Sequence, residues 1–217
     1  MLLLKFLQAY LLAAMISWVP IHSHVANGEL EADVIARYEA TAQDIAETAL
    51  DPSEAKTLWA GKDGVVKDAL LLAAVASIEG GFQKFVDDGT CNRPDYRADQ
   101  RGGCDGHTAW TIWQIHTMGG LRIGGDYLTS VAYDQLNARQ HPELFLRGPD
   151  LIASRKTAAK VALHIMRASF RDGGSLCIYA HEFCHGDIPK STYRQARALN
   201  YLKTHPFTYP PAEVAMN

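Results

Sequence analysis

The sequence has no excess of charge of either sign. Twenty-one Lys and Arg face 24 Asp and Glu, giving a net charge of −3 with the nine histidines neutral. No basic face stands out, which argues against nucleic acid as a partner. Blocks of like charge, low-complexity tracts and internal repeats are also absent, which excludes acidic or basic tails and solenoid arrays. No stretch alternates apolar and polar residues as a half-buried strand would. The cysteines number only four and lack C-x2-C knuckles, so a four-cysteine zinc site is a poor fit.

What is present is a chain of 217 residues, 47% hydrophobic and 21% charged. That is enough for one domain with a sizeable core. Its first residues, "MLLLKFLQAYLLAAMISWVP", carry Lys5 and then a mostly apolar run. Gln8 and Pro20 leave that run short for a spanning helix, so residues 1–28 read as a secretory signal peptide or N-terminal anchor, with a small-residue site at Ala26-Asn27-Gly28. A buried N-terminal helix is the alternative. Residues 29–217 then form the domain, and the protein is expected to be exported to the periplasm, cell envelope or exterior.

The cysteines fit export. Cys91, Cys104, Cys177 and Cys184 fall as two local pairs, and an even number in an exported chain argues for disulfides. Of the three pairings, Cys91–Cys104 with Cys177–Cys184 closes two short loops and is the expected one.

Helical periodicity dominates the remainder. Residues 29–49 form an amphipathic pattern, and Asp51-Pro52 is a helix-start signal. Residues 65–79 are an almost uninterrupted apolar helix that ends at Gly80 and Gly81. Residues 87–108 form a long Gly-, Asp- and Arg-rich loop, the kind that is functional or cross-linked. Residues 154–170 place Ala158, Val161, Ala162, Ile165, Met166 and Phe170 on one face. "SLCIYAHEFCH" and "KSTYRQARALNYLKTH" add two more helices. The expected fold is mainly α, with helices arranged around one central buried helix and a disulfide-stapled loop insertion.

Glu79 closes the apolar helix. A carboxyl among aliphatic neighbours loses hydration in its charged form and stays protonated more readily, as a glycosidic general acid must. Gly80 and Gly81 leave room for a polymer to approach. The plain alternative is a carboxylate exposed past a helix end.

Three segments together resemble the lysozyme-like lytic transglycosylases. "SIEGGF" resembles their E-S-x-F signature, "AWTIWQIH" their G-L-[MW]-Q-I segment with Gln114 and Ile115 in register, and "IYAHEFCHG" their A-Y-N-A-G segment with Tyr179 on the tyrosine. The order matches, and the resemblance spans about residues 65–202. Thr111 stands where the family has glycine and Ala180 where it has asparagine, and the stretch from Glu79 to Gln114 is longer than in compact members.

The resemblance implies a lysozyme-like fold and cleavage of the β-1,4 bond between N-acetylmuramic acid and N-acetylglucosamine in peptidoglycan. Glu79 would be the sole catalytic acid and base. Gln114 and the backbone around Ile115 would bind the sugar, and Trp110, Trp113 and Tyr179 would offer flat surfaces to sugar rings or else pack in the core. The glycan strand would be the partner of a monomer, and no metal or cofactor is called for.

Three other readings stay open. A hydrolase on the same fold would need a second carboxylate to activate water, from Asp87, Asp88, Asp99 or Asp105, with Asp105 favoured for its place near the second motif. His181-Glu182-Phe183-Cys184-His185 fits H-E-x-x-H, in which the histidines share a helix face for zinc and Glu182 activates water; a third ligand would have to come from His205 or Glu213. The last is a glycan-binding protein that keeps the cleft without turnover.

Overall fold

The computed structural model describes residues 2–54, 57–93, 95–96, 104–105, 107–117, 121–123, 131–133, 140, 145–173, 175–176, 179 and 188–211. Among them the chain is mainly helical. Helices α1 (Leu2–Trp18), α2 (Ile21–Val25) and α3 (Glu31–Ala49) come first, followed by α4 (Gly64–Glu79) and the short α5 (Lys84–Asp87). Helices α6 (Gly148–Ala153), α7 (Arg155–Gly173) and α8 (Ile188–Thr204) complete the set.

Helix α4 is the centre, as its composition requires. Ala69 to Ala76 are each 0% exposed, so the helix has no solvent-facing stripe along that stretch. It contacts α1, α3, α7 and α8. Each neighbour turns an apolar stripe inward. In α3 this is Val34, Tyr38, Ala42, Ile45 and Ala46; in α7, Ala158, Val161, Ala162 and Met166. The expected helices over 29–49, 65–79 and 154–170 are therefore present, and the amphipathic pattern after residue 190 lies within α8.

Residues 2–18 form α1, which lies in the core. Leu7, Leu11, Ala14 and Met15 are at most 1% exposed, and the helix packs against α3 and α4. No helix among the described residues is long and apolar enough to cross a membrane. An aromatic cluster joins α1 to the far end of the chain. Tyr10 meets Tyr201 and Phe207 edge-on, Trp18 meets Tyr201, and the Tyr10 hydroxyl donates to the His205 carbonyl.

Two expectations change. Asp51-Pro52 starts only a 3₁₀ turn (Pro52–Glu54), because Asp51 Oδ1 accepts hydrogen bonds from Ser53 N and Ser53 Oγ and closes the turn locally. "AWTIWQIH" is an antiparallel hairpin of β1 (Ala109–Trp110) and β2 (Ile115–His116), with Trp110 opposite Ile115. A second small pair joins β3 (Leu121–Ile123) to β4 (Val131–Tyr133). Strands of two or three residues are too short to print an alternating pattern in the sequence.

Candidate functional site

The end of α4, the hairpin turn and Tyr179 meet in one place. Gly80 is the hinge of this meeting. A Cβ built there would lie 2.6 Å from Ile112 Cα, so only glycine lets the hairpin backbone come this close. The room over Gly80 is thus filled by the protein's own main chain, where the sequence suggested space for a polymer. Gly81, at φ +55°, makes the left-handed turn that redirects the chain after α4.

Trp113 fixes the hairpin from inside. Its ring is 0% exposed, and Nε1 donates to the Leu72 carbonyl of α4 at 3.0 Å. A ring with no exposed face cannot stack on a sugar, so Trp113 is a core residue. Trp110 lies against Gly148, where an added Cβ would meet its ring at 1.8 Å. The Tyr179 hydroxyl donates to the Trp113 carbonyl at 2.6 Å, and its backbone N–H donates to Ser169 Oγ. Ile115 is 2% exposed. Gln114 adopts φ 50°, and its Nε2 donates to the Thr111 carbonyl at 3.1 Å. Thr111, at φ 63°, takes a left-handed conformation that glycine adopts more readily.

The surroundings of Glu79 differ from the expected dry, unpaired acid. Arg194 of α8 donates through Nε to Glu79 Oε1 at 2.7 Å, and its Nη2 donates to the same oxygen. The Glu79 side chain is 20% exposed. Glu79 Oε2 accepts no hydrogen bond among the described residues. The sequence carries a signal for this pair: Arg194 shares a helical face with Ala198 and Tyr201, both buried, and a cation on an apolar face needs an anion opposite. Two residues earlier on α4, Ser77 Oγ accepts from Arg197 Nη1 at 2.7 Å.

The other acids divide clearly. Asp87 is committed to Arg155, whose Nε and Nη2 donate to it at 3.1 and 2.5 Å. Asp88 Oδ1 accepts from Thr90 N. Asp105 is 75% exposed and lies 3.3 Å from His116 Nε2. Asp99 falls outside the described residues. The Cys91–Cys104 disulfide is present and closes the loop as expected. Cys177, Cys184, the whole of His181–His185 and Glu213 lie outside the described residues. Among the described residues no group of three or more His, Cys, Asp or Glu is arranged to hold a metal ion. His205 stacks on Tyr201 with ring centroids 4.5 Å apart.

A buried ionic cluster that the sequence did not reveal lies on the other flank of α4. Glu54, 3% exposed, accepts from His164 Nε2 at 2.8 Å and from Arg167 of α7, with Lys160 Nζ at 3.1 Å. Burial pushes the Glu54 carboxyl up, but the hydrogen bonds and charges of His164, Lys160 and Arg167 outweigh it and hold it at about 2. Asp68 of α4, 1% exposed, accepts from Leu58 N at 3.1 Å and lies 3.8 Å from Arg167 Nη2. Burial pushes it up to about 7, against the opposing Leu58 hydrogen bond and Arg167 charge.

Comparison with protein-family models, with curated proteins and with solved structures found no match to this chain. The site therefore stands on its own geometry and on the sequence motifs.

Proposed function

We propose that this protein cleaves peptidoglycan glycan strands as a lytic transglycosylase with a lysozyme-like fold, using Glu79 as its acid and base. One observation carries the reading. The three segments that bear the motif residues are far apart in sequence, yet they are tied together by the Gly80–Ile112 approach, the Trp113–Leu72 hydrogen bond and the Tyr179–Trp113 hydrogen bond. The Cys91–Cys104 disulfide supports an exported protein, since such bonds persist in oxidising compartments.

In this reading Glu79 gives its proton to the glycosidic oxygen as the C1–O bond breaks. The same carboxylate then takes the proton of the C6 hydroxyl while that oxygen closes on C1, forming the 1,6-anhydro ring. In this reading the Arg194 contact to Oε1 opens when the glycan strand enters.

The Glu79–Arg194 pair itself favours a second reading, a glycan-binding protein that does not turn over. Digestion of purified cell wall separates the two. Anhydro-ended fragments by mass spectrometry support the transglycosylase, reducing ends a hydrolase, and intact wall that retains the protein a binding role. Glu79→Gln is expected to keep the helical circular dichroism and lose activity by a factor on the order of 10² or more. Cleavage at the original rate by that variant overturns the assignment. Activity abolished by a chelator, with stoichiometric zinc bound, would replace it with the zinc-protease reading.

A further inference from the structure

The buried ionic cluster beside α4 contains an acid without a full partner. Asp68, on the second turn of α4, is 1% exposed, and its two oxygens share one donor, Leu58 N, at 3.1 and 3.3 Å. Arg167 Nη2 lies 3.8 Å from Asp68 Oδ2, beyond hydrogen-bond reach. A buried carboxylate needs its charge and its lone pairs met, and one shared N–H does not meet them. Asp68 is therefore suited to hold a proton, in line with the burial that pushes it up to about 7.

The same cluster sets one arginine between two acids. Arg167 donates from Nη1 to Glu54 Oε2, and from Nη2 to the Glu54 main-chain carbonyl at 2.9 Å. That Nη2 is also the atom that faces Asp68. One nitrogen thus stands between α4 and the connector of residues 50–63. Among the described residues the other charged and titratable groups around it are Asp51 and Glu54 of the connector and Lys160 and His164 of α7. Lys160 Nζ lies 3.1 Å from Glu54 Oε1 and 4.0 Å from Asp51 Oδ2, and His164 Nε2 lies 2.8 Å from both Glu54 oxygens. The Glu54 side chain therefore stays partnered whichever way Arg167 Nη2 points. The connector is pinned separately at each end, by Asp51 Oδ1 accepting from Ser53 N and by Tyr209, whose hydroxyl donates to the Lys62 carbonyl at 2.6 Å.

We propose that Asp68 and Arg167 form a proton-operated switch that fastens the connector to α7. With its proton, Asp68 leaves Arg167 Nη2 to the Glu54 carbonyl, and the connector is held. When Asp68 gives its proton to water, its new charge draws Nη2 across. The Arg167–Asp68 pair forms as the bond to the Glu54 carbonyl breaks, and the Pro52–Glu54 turn loses that main-chain tie to α7. A packed interior gives the guanidinium two discrete places rather than a continuous range. The sign follows from linkage. The fastened form holds the extra proton, so acid pH favours it and rising pH empties it. The inference is independent of the glycan-strand reading.

The test uses the full chain with nitrogen-labelled arginine side chains, titrated by nuclear magnetic resonance from about pH 5 to about pH 8.5, with hydrogen exchange alongside. The Arg167 guanidinium signals are expected to shift with one midpoint near neutrality. Exchange at the Glu54 amide, corrected for its intrinsic rate, should quicken by about tenfold or more above that midpoint. Asp68→Asn keeps the shape and cannot ionise, so it should abolish both changes. Glu54→Gln weakens the rival for Arg167 and should lower the midpoint by about one pH unit. Arg167 signals that do not move, movement that survives Asp68→Asn, or a midpoint unaltered by Glu54→Gln each overturns the switch. Quickened exchange spread evenly through α4 overturns it too, because that is loosening of the whole fold.

Discussion

The helices around α4 and the stretch from Phe82 to Gln114 keep their shapes by different means. The helices are held by burial: α4 has its middle turns fully enclosed, and Leu7, Leu71 and Leu163 are at most 1% exposed. The stretch after it has a small apolar cluster of its own, Val86, Cys91 and Cys104, with Phe85 and Tyr96 against it. A disulfide, a few local hydrogen bonds and unusual backbone conformations do the rest. Phe82, Asp105, His107, Thr111 and Gln114, the non-glycine residues with positive φ among those described, all fall in this region. Each such conformation costs free energy that the surroundings must supply, and such strain gathers where chains bind or react. The contrast teaches that burial sets Glu79 at the end of α4, while local bonds and backbone conformation set the turn and hairpin beside it.

The contrast can be tested by attacking each half. The largest effect is expected from Leu71→Ala, which hollows the centre of α4 and should cost about 2–5 kcal/mol. Chemical denaturation followed by far-ultraviolet dichroism measures it, and a cost below 1 kcal/mol would mean the core is not the main support.

The next largest concerns the buried cluster. Asp68 is held up at about 7, above the range of an unfolded aspartate, so the folded state binds the extra proton. Its contribution is complete at acid pH and is lost as the pH rises from about 4 through 7, by at most about 4 kcal/mol. Glu54 works oppositely: held at about 2, its contribution is lost only as the pH falls from about 4.5 through 2. Asp68→Asn should therefore gain stability relative to the parent as the pH rises from 5 to 8, measured by paired urea melts. A gap that does not widen with pH contradicts the assignment.

Removing the disulfide with Cys91→Ser and Cys104→Ser should cost about 3 kcal/mol for a loop of this length. Hydrogen exchange should quicken in residues 84–96 while α4 stays protected; equal loss of protection in α4 would show that the two halves are one cooperative unit. The smallest effect is Gly80→Ala, about 1–3 kcal/mol for forcing Ile112 away. Its sharper readout is the tryptophan environment, because Trp113 follows Ile112.

Much of the helical half was legible in the sequence, because burial imposes a period of 3.6 and burial decides that half. The amphipathic stripes of α3 and α7 and the uninterrupted run of α4 each state their surroundings. The Cys91–Cys104 link was legible from spacing. The apolar run of α1 was legible as apolar only, since a leader and a core helix share that composition. The hairpin was not legible, because its two-residue strands are set by Thr111 and Gln114 in conformations that threonine and glutamine seldom adopt. At the candidate site, the position of Glu79 at a helix end is what the sequence shows. Its partner Arg194 lies 115 residues away, and only the packing of α8 on α4 joins them.

The cluster of Tyr10, Trp18, Tyr201 and Phe207 has a consequence for how the molecule comes into being. Translation delivers the first of these rings nearly two hundred residues before the last. Until residues 201–207 leave the ribosome, Tyr10 and Trp18 lack the rings that meet them in the folded protein. The ring cluster thus closes only when the final stretch of the chain has been made.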